Sequence, residues 1–228
     1  MPNLLLLHGA LGHSDIFNPY LTALSPYFTV HTPLFSGHGN RELPAEGINI
    51  KKYTKELSEY CKVNNLTDVS IFGHSMGGYA ALCYAMENPE NVNSVMILGT
   101  KFDWTEEQAL KESKMLNPDV ILEKIPVYAQ LLESQHGAKW KQLLPAIADL
   151  MIDLGKNPPL ENNLATINIP TQIMVGDKDH MVTLEESIRV YRSLPNAKLA
   201  VLPDTKHPMD KVRPDLLLRL IKDFWNLS

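Results

Sequence analysis

Six short apolar runs recur along the chain, at Asn3–Leu7, Tyr27–His31, Val69–Phe72, Val92–Leu98, Thr171–Val175 and Ala197–Leu202. Each has the length of a strand and offers apolar side chains to both faces, which predicts strands of a parallel sheet buried on both sides. Between most of them the apolar positions fall at helical spacing instead, as in Ile50–Val63, Met76–Glu87 and Thr183–Ser193. Alternation of strand and helix predicts an α/β fold: a parallel sheet of about six strands with helices on both faces.

Helix starts are marked as well. Thr183-Leu184-Glu185-Glu186 has capping-box form, because the Thr183 hydroxyl is placed to accept from the Glu186 amide while Glu186 reaches back. Thr105-Glu106-Glu107-Gln108 repeats the spacing. Leu217, Leu220, Ile221 and Phe224 follow Pro214 at helical intervals and predict a last helix packed on the sheet.

The rhythm breaks between about Asp103 and Ile167, where no convincing strand occurs and Met115, Leu131, Leu132, Leu143, Leu144, Leu150 and Met151 outline helical faces. A structureless loop of that length is improbable. The expected organisation is one core domain, 1–102 and 168–228, with a small helical cap, 103–167, over the sheet's C-terminal edge, where open α/β sheets bind ligands.

Composition narrows the function classes. A chain of 228 residues is long enough to bury roughly 70% of its unfolded surface in one core. Its net charge of −5, with no basic run longer than Lys51-Lys52, argues against nucleic acid as a partner. Leu4–Leu7 is too short and lacks the basic flank of a signal segment. No window approaches the roughly 20 apolar residues of a membrane span, so a soluble, cytoplasmic protein is expected, monomeric or homodimeric. Cys61 and Cys83 lie in helical segments, where a thiol most often acts as a small buried hydrophobe. Neither has a Cys or His at ligand spacing, so no metal or other cofactor is expected.

The chemistry centres on Gly73-His74-Ser75-Met76-Gly77-Gly78, which follows the strand Val69–Phe72 at once and opens the helix that continues through Tyr79–Met86. A serine in such a sharp strand-to-helix turn projects as a nucleophile, and side chains at 73 or 77 would strike the neighbouring backbone as the turn closes. The helix N-terminus favours developing negative charge, which makes the Met76 amide one oxyanion donor. His8-Gly9-Ala10 ends the first strand and offers a second at Ala10, with Leu11 as the alternative.

A serine alone is a weak nucleophile and needs a base with an orienting partner. Gly176-Asp177-Lys178-Asp179 follows the fifth strand and Thr205-Lys206-His207-Pro208 the sixth, at the same sheet edge as Ser75. His207 is the candidate base and Asp179 the candidate acid, with Asp177 and Asp103 as alternative acids.

Together these motifs resemble the α/β-hydrolase-fold superfamily, in particular its small helical-capped serine esterases, across the whole chain. The resemblance implies that the acid is the last Asp of a Gly-x-x-Asp turn, here Asp179, and that His8, His74 and His38 of Gly37-His38-Gly39 serve loop structure. It also implies that the first two strands of the family's usual eight are missing. His13, His31, His136 and His180 default to surface or packing roles.

The expected activity is hydrolysis of a small or medium acyl ester through a Ser75-His207-Asp179 triad and an acyl-enzyme. Leu11, Tyr128, Leu131 and Met151 are candidate pocket residues, and Met115 and Trp140 share their pattern, although helical spacing suits plain packing equally. Two other readings are a lyase or C–C bond hydrolase of a small carboxylated metabolite, and a triad-retaining ligand receptor. Tyr79 stands where such lyases usually carry Arg, and Ser75 excludes the dehalogenase and epoxide-hydrolase chemistries that need Asp there.

Overall fold

The computed structural model describes residues 1–228. In chain order the elements are β1 (Asn3–Leu7), α1 (Asn18–Leu24), β2 (Thr29–His31), α2 (Ile50–Val63), β3 (Val69–His74), α3 (Met76–Glu87) and β4 (Val92–Leu98). Four helices follow: α4 (Glu106–Ser113), α5 (Pro118–Lys124), α6 (Pro126–His136) and α7 (Trp140–Lys156). The chain closes with β5 (Thr171–Gly176), α8 (Leu184–Ser193), β6 (Ala197–Leu202) and α9 (Pro214–Phe224).

The six strands form one parallel sheet in the order β2-β1-β3-β4-β5-β6. The two faces follow from the period of two along each strand. Leu5 and Leu7 of β1 join Ile71, Val95 and Ile173 in a cluster with helices α2, α3 and α8, whereas Leu4 and Leu6 join Phe72, Met96 and Met174 under α1 and α9. The outermost strands depart from the sequence expectation. Most of β2 and β6 is only half-buried or exposed, because an edge strand has a neighbour on one side only and less helix above it.

Helix α1 and the short 3-10 turn before it, Ser14–Phe17, fill an interval for which the apolar pattern predicted no element. Thr183 and Glu186 form the full capping box. At Thr105 only half forms: its hydroxyl accepts the Gln108 N–H at 3.2 Å, without a reciprocal bond from the Gln108 side chain.

Helices α4 to α7 occupy the interval between β4 and β5, and α5, α6 and α7 share the larger apolar cluster with the sheet, through Ile121, Leu132, Leu144, Ile147 and Leu154. Both cysteines are buried and free. No helix is long and apolar enough to cross a membrane.

Strand order places the site. The chain runs from β1 outward to β2, then returns to lay β3 on the other side of β1. The loops leaving β1 and β3 therefore diverge at a switch point, the crevice in which open α/β sheets bind ligands. Register brings them together: Leu7 pairs with Gly73, so His8-Gly9 lies beside His74-Ser75.

Candidate active site

Ser75 sits between β3 and α3 with φ 52 and ψ −119, a left-handed conformation that a side-chain-bearing residue adopts at a cost of about 1–3 kcal/mol. Its surroundings hold it there. Ser75 N–H donates to the Leu98 carbonyl oxygen at 2.9 Å, and the Ser75 carbonyl accepts the Thr100 hydroxyl at 3.1 Å. Glycines make the closure possible: a Cβ at Gly77 would stand 2.5 Å from the carbonyl oxygens of both Leu7 and His8, and one at Gly73 would stand 2.5 Å from the Gly78 Cα.

His207 reaches the serine from the loop after β6. Its Nε2 lies 3.1 Å from Ser75 Oγ, and its Nδ1 lies 2.8 Å from Asp179 Oδ2. The other Asp179 oxygen accepts the Met181 and Val182 amides at 2.8 and 3.0 Å. Burial by itself raises the Asp179 pKa, but the His207 bond and the two amides outweigh it and hold the carboxyl below its ordinary value. An ionised Asp179 keeps the proton on Nδ1, which leaves the Nε2 lone pair facing the serine hydroxyl.

The two alternative acids are engaged elsewhere. Asp177 Oδ1 accepts the Thr205 N–H at 3.1 Å, tying the β5 loop to the β6 loop. Asp103 is paired with Arg189 of α8.

As the first residue of α3, Met76 has no intrahelical acceptor for its N–H. The Ala10 and Leu11 amides also have no acceptor within the chain, so the fallback donor is as available as the first choice. The turn that carries them is closed by Gly12 N–H donating to the Gly9 carbonyl at 3.0 Å, and Leu11 has φ 57.

Four histidines outside the Ser75-His207-Asp179 arrangement brace these loops. His74 Nε2–H donates to the His207 carbonyl oxygen at 2.9 Å. Desolvation, followed by the proximity of His207, pushes its pKa down to about 3. His8 Nδ1–H donates to the Gly9 carbonyl at 2.9 Å and its Nε2 accepts the Phe35 N–H at 3.2 Å. Desolvation lowers its pKa to about 4. His38 is buried against His8, with ring centroids 4.7 Å apart, and bonds the Ser36 carbonyl.

His136 is the residue that sequence reasoning missed. It is buried at the end of α6, where Nε2–H donates to the Leu11 carbonyl at 3.1 Å and Nδ1 accepts the Gly39 N–H at 2.9 Å. Its two partners are 125 and 97 residues distant in sequence, and no local pattern could have announced them.

Above Ser75 and His207 opens a cavity of about 760 Å³, lined by the loop after β1, the inserted helices and the His207 loop. Leu11, Tyr128, Leu131 and Met151 all line it, together with Ala10 and Met76. Leu131 is 48% exposed, whereas Met115 lies outside the cavity and is 60% exposed. Trp140 is fully packed in the core and does not reach the cavity. Lys101 and Glu112 line the cavity as an ion pair with Nζ and Oε1 3.0 Å apart, and Lys211 and Asp210 form a second pair at 2.9 Å. The Lys101–Glu112 partnership depends on how α4 packs back over the loop after β4, which sequence spacing does not reveal.

A model described as "Alpha/beta hydrolase family" matches residues 4–219. Among characterised proteins, the chain is 24% identical over 253 aligned residues to monoacylglycerol lipase ABHD6 of Homo sapiens, covering 98% of this chain and 75% of that protein. It is 22% identical over 243 aligned residues to 2-(acetamidomethylene)succinate hydrolase of Mesorhizobium japonicum, covering 98% and 87%. Among solved structures, the enol-lactonase of Burkholderia xenovorans LB400 superposes with a TM-score of 0.82 at 18% identity, covering 99% of this chain and 91% of that one.

Proposed function

Because the chain belongs to the alpha/beta hydrolase family, we propose that it is a serine hydrolase that cleaves carboxylic esters of small or medium acyl groups through an acyl-enzyme. The observation that carries this reading is His207, which spans Ser75 Oγ at 3.1 Å and Asp179 Oδ2 at 2.8 Å on the floor of a largely apolar cavity.

In the proposed reaction, His207 Nε2 removes the Ser75 proton as Oγ attacks the ester carbonyl. The Met76 and Ala10 amides receive the oxyanion. The resulting imidazolium is supported by ionised Asp179 and gives its proton to the leaving alcohol. Water, activated by the same imidazole, then releases the acid and restores Ser75. Helices α4 to α7 act as a cap that supplies the apolar wall.

Electrostatics favour an uncharged substrate over a carboxylated one. Both ion pairs that line the cavity, Lys101 with Glu112 and Lys211 with Asp210, neutralise themselves. The residue after the paired glycines is Tyr79, whose hydroxyl accepts the Leu160 N–H, so no cation stands there for a carboxylate. Relatives named as a lipase and an enol-lactonase accord with ester or lactone chemistry.

The test is steady-state turnover on a chain-length series of p-nitrophenyl esters, combined with labelling by a fluorophosphonate. Multiple turnover that disappears once Ser75 is labelled supports a hydrolase. A single slow burst with a raised melting temperature would instead indicate a ligand receptor.

A further inference from the structure

Deepening the ester-hydrolase reading, on which it rests, we infer that the hydroxyl of Tyr128 binds the alcohol part of the substrate. The preferred ester then carries an uncharged acceptor oxygen, an ether or a hydroxyl, in its leaving alcohol rather than in its acyl chain.

Helix α6 bridges the two loops that flank Ser75. At its end His136 bonds the Leu11 carbonyl of the loop after β1 at 3.1 Å, and a Cβ on Gly9 of that loop would stand 3.2 Å from the Ser75 Cβ. Near its start, the charge of Asp210, in the loop that carries His207, reaches the Tyr128 hydroxyl. Tyr128, Leu131 and Gln135 fall at i, i+3 and i+7, on one face of the helix, and all three line the cavity. The neighbouring face, with Ala129, Leu132 and His136, is buried. The cavity therefore meets side chains of α6 and not its backbone.

The Tyr128 hydroxyl is open and unused. It bonds no group of the protein, and it is not among the buried side-chain atoms left without a partner, which are His38 Nε2 and Glu112 Oε2. Burial, followed by the Asp210 charge, raises its pKa above the ordinary value, so the oxygen keeps its proton and donates. Asp210 and Lys211 line the same side of the cavity but are paired with each other at 2.9 Å. Tyr128 is left there as the polar side chain without a partner.

The proposed reaction sets which half of the ester meets it. His207 Nε2 gives its proton to the departing oxygen, so the alcohol lies on the His207 side of the acyl carbon, while the oxyanion lies towards the loop after β1. On that side the alcohol passes Pro208, Met209 and the Tyr128 hydroxyl, which line the cavity together. A methylene held there would desolvate the hydroxyl and offer it no acceptor, whereas an oxygen in the same place takes its hydrogen bond. Gln135 stands two turns further, about 10 Å along the helix, at the end fastened to the Leu11 loop, and so is remote from the departing oxygen.

The experiment compares kcat/KM for isosteric esters of one acid, 2-methoxyethyl against butyl and 3-methoxypropyl against pentyl, followed by proton release. Within each pair a methylene replaces one oxygen of the alcohol. The ratio is measured in the wild type, Tyr128→Phe and Gln135→Leu, so that the intrinsic reactivity of the two alcohols cancels between enzymes. At one of the two positions the ether preference is expected to fall about fivefold in Tyr128→Phe, the size of one neutral hydrogen bond, and to persist in Gln135→Leu. Removing a hydroxyl that bonds nothing in the protein strands no group, and a thermal melt checks that both variants are folded. A parallel series places the oxygen in the acyl chain of p-nitrophenyl esters, where Tyr128→Phe should leave the ratio as in the wild type.

A ratio unchanged in Tyr128→Phe at both alcohol positions would overturn the inference while leaving the hydrolase reading intact. A fall confined to the acyl series, or one shared equally by Gln135→Leu, would overturn it too. Absence of all ester turnover, with no labelling of Ser75 by a fluorophosphonate, would overturn both.

Discussion

His136 Nε2 donates to the carbonyl oxygen of Leu11 at 3.1 Å, so a side chain from the end of α6 holds the loop that presents the Ala10 and Leu11 amides to the cavity. The same ring accepts the Gly39 N–H at 2.9 Å. The inserted helices are thereby fastened to the proposed oxyanion loop by a buried side chain with both nitrogens used.

Replacing His136 by Ala should strand the Leu11 carbonyl and the Gly39 amide, at about 1–3 kcal/mol for each group left unpaired. The expected result is a lower melting temperature together with a kcat reduced about tenfold or more, as a loosened oxyanion donor predicts. His136→Gln, which can donate and accept, should recover part of both. A kcat unchanged in His136→Ala would show that the loop holds its geometry without the His136 bonds.

Ser75→Ala should lower turnover by about four orders of magnitude or more, leaving whatever the oxyanion donors and binding provide. Labelling by a fluorophosphonate should vanish. Wild-type hydrolysis of p-nitrophenyl esters by this variant would refute the nucleophile assignment.

The three candidate acids separate by mutation. Asp179→Asn should cost about 10⁴ in kcat, because the amide favours the wrong imidazole tautomer. Asp103→Asn removes only an ion pair whose members, Arg189 and Asp103, are 58% and 37% exposed, worth about 0–1 kcal/mol at the surface, and should turn over nearly as the wild type does. Asp177→Asn retains an oxygen for the Thr205 amide and should also remain active. An Asp103→Asn variant as impaired as Asp179→Asn would reassign the acid.

Acid should destabilise the fold early. His8 and His74 are held neutral, with pKa values pushed down from 6.5 to about 4 and about 3, chiefly by desolvation. The unfolded chain therefore binds more protons than the folded one below about pH 6.5. Their contribution to stability is complete above that pH and declines as the pH falls, by about 1.4 kcal/mol per pH unit for each histidine. Asp179, lowered below its ordinary value, adds its loss only below about pH 4. Melting temperatures from pH 8 to pH 4 should hold steady and then drop, and a flat profile down to pH 5 would contradict the buried neutral histidines.

Gly77→Ala tests the tightness of the nucleophile turn. Its methyl group would stand 2.5 Å from the Leu7 and His8 carbonyl oxygens, and backbone has little room to yield. A loss of about 1–3 kcal/mol is expected for such overpacking, read from urea unfolding, with a fall in kcat as Ser75 is displaced. Ala accommodated without loss of stability would show that β1 and α3 are less closely apposed.

Much of the fold was legible because it follows from local rules. The unbroken apolar runs in β1 and β3 require a sheet buried on two faces, and the spans of α2, α3 and β4 follow from their apolar positions. Helix α1 was not legible, because only Tyr20 and Leu24 of its seven residues are buried, too short a pattern to stand out from a loop. The edge strands carried more apolar residues than their burial uses.

By itself the sequence determined the six strands, most of the helices between them, their order and the Ser75 turn, since steric rules within a few residues govern where a chain extends, coils or bends. Tertiary structure decided which of three carboxylates meets His207, because Asp103, Asp177 and Asp179 all lie just beyond strand C-terminal ends and differ only in where each loop aims its side chain. It also decided that His136 grips the Leu11 loop and that Lys101 meets Glu112. The His136 pairing depends on the packing of segments far apart in the chain, and the Lys101–Glu112 pairing on how α4 turns back over the loop after β4, where spacing along the sequence imposes no geometry.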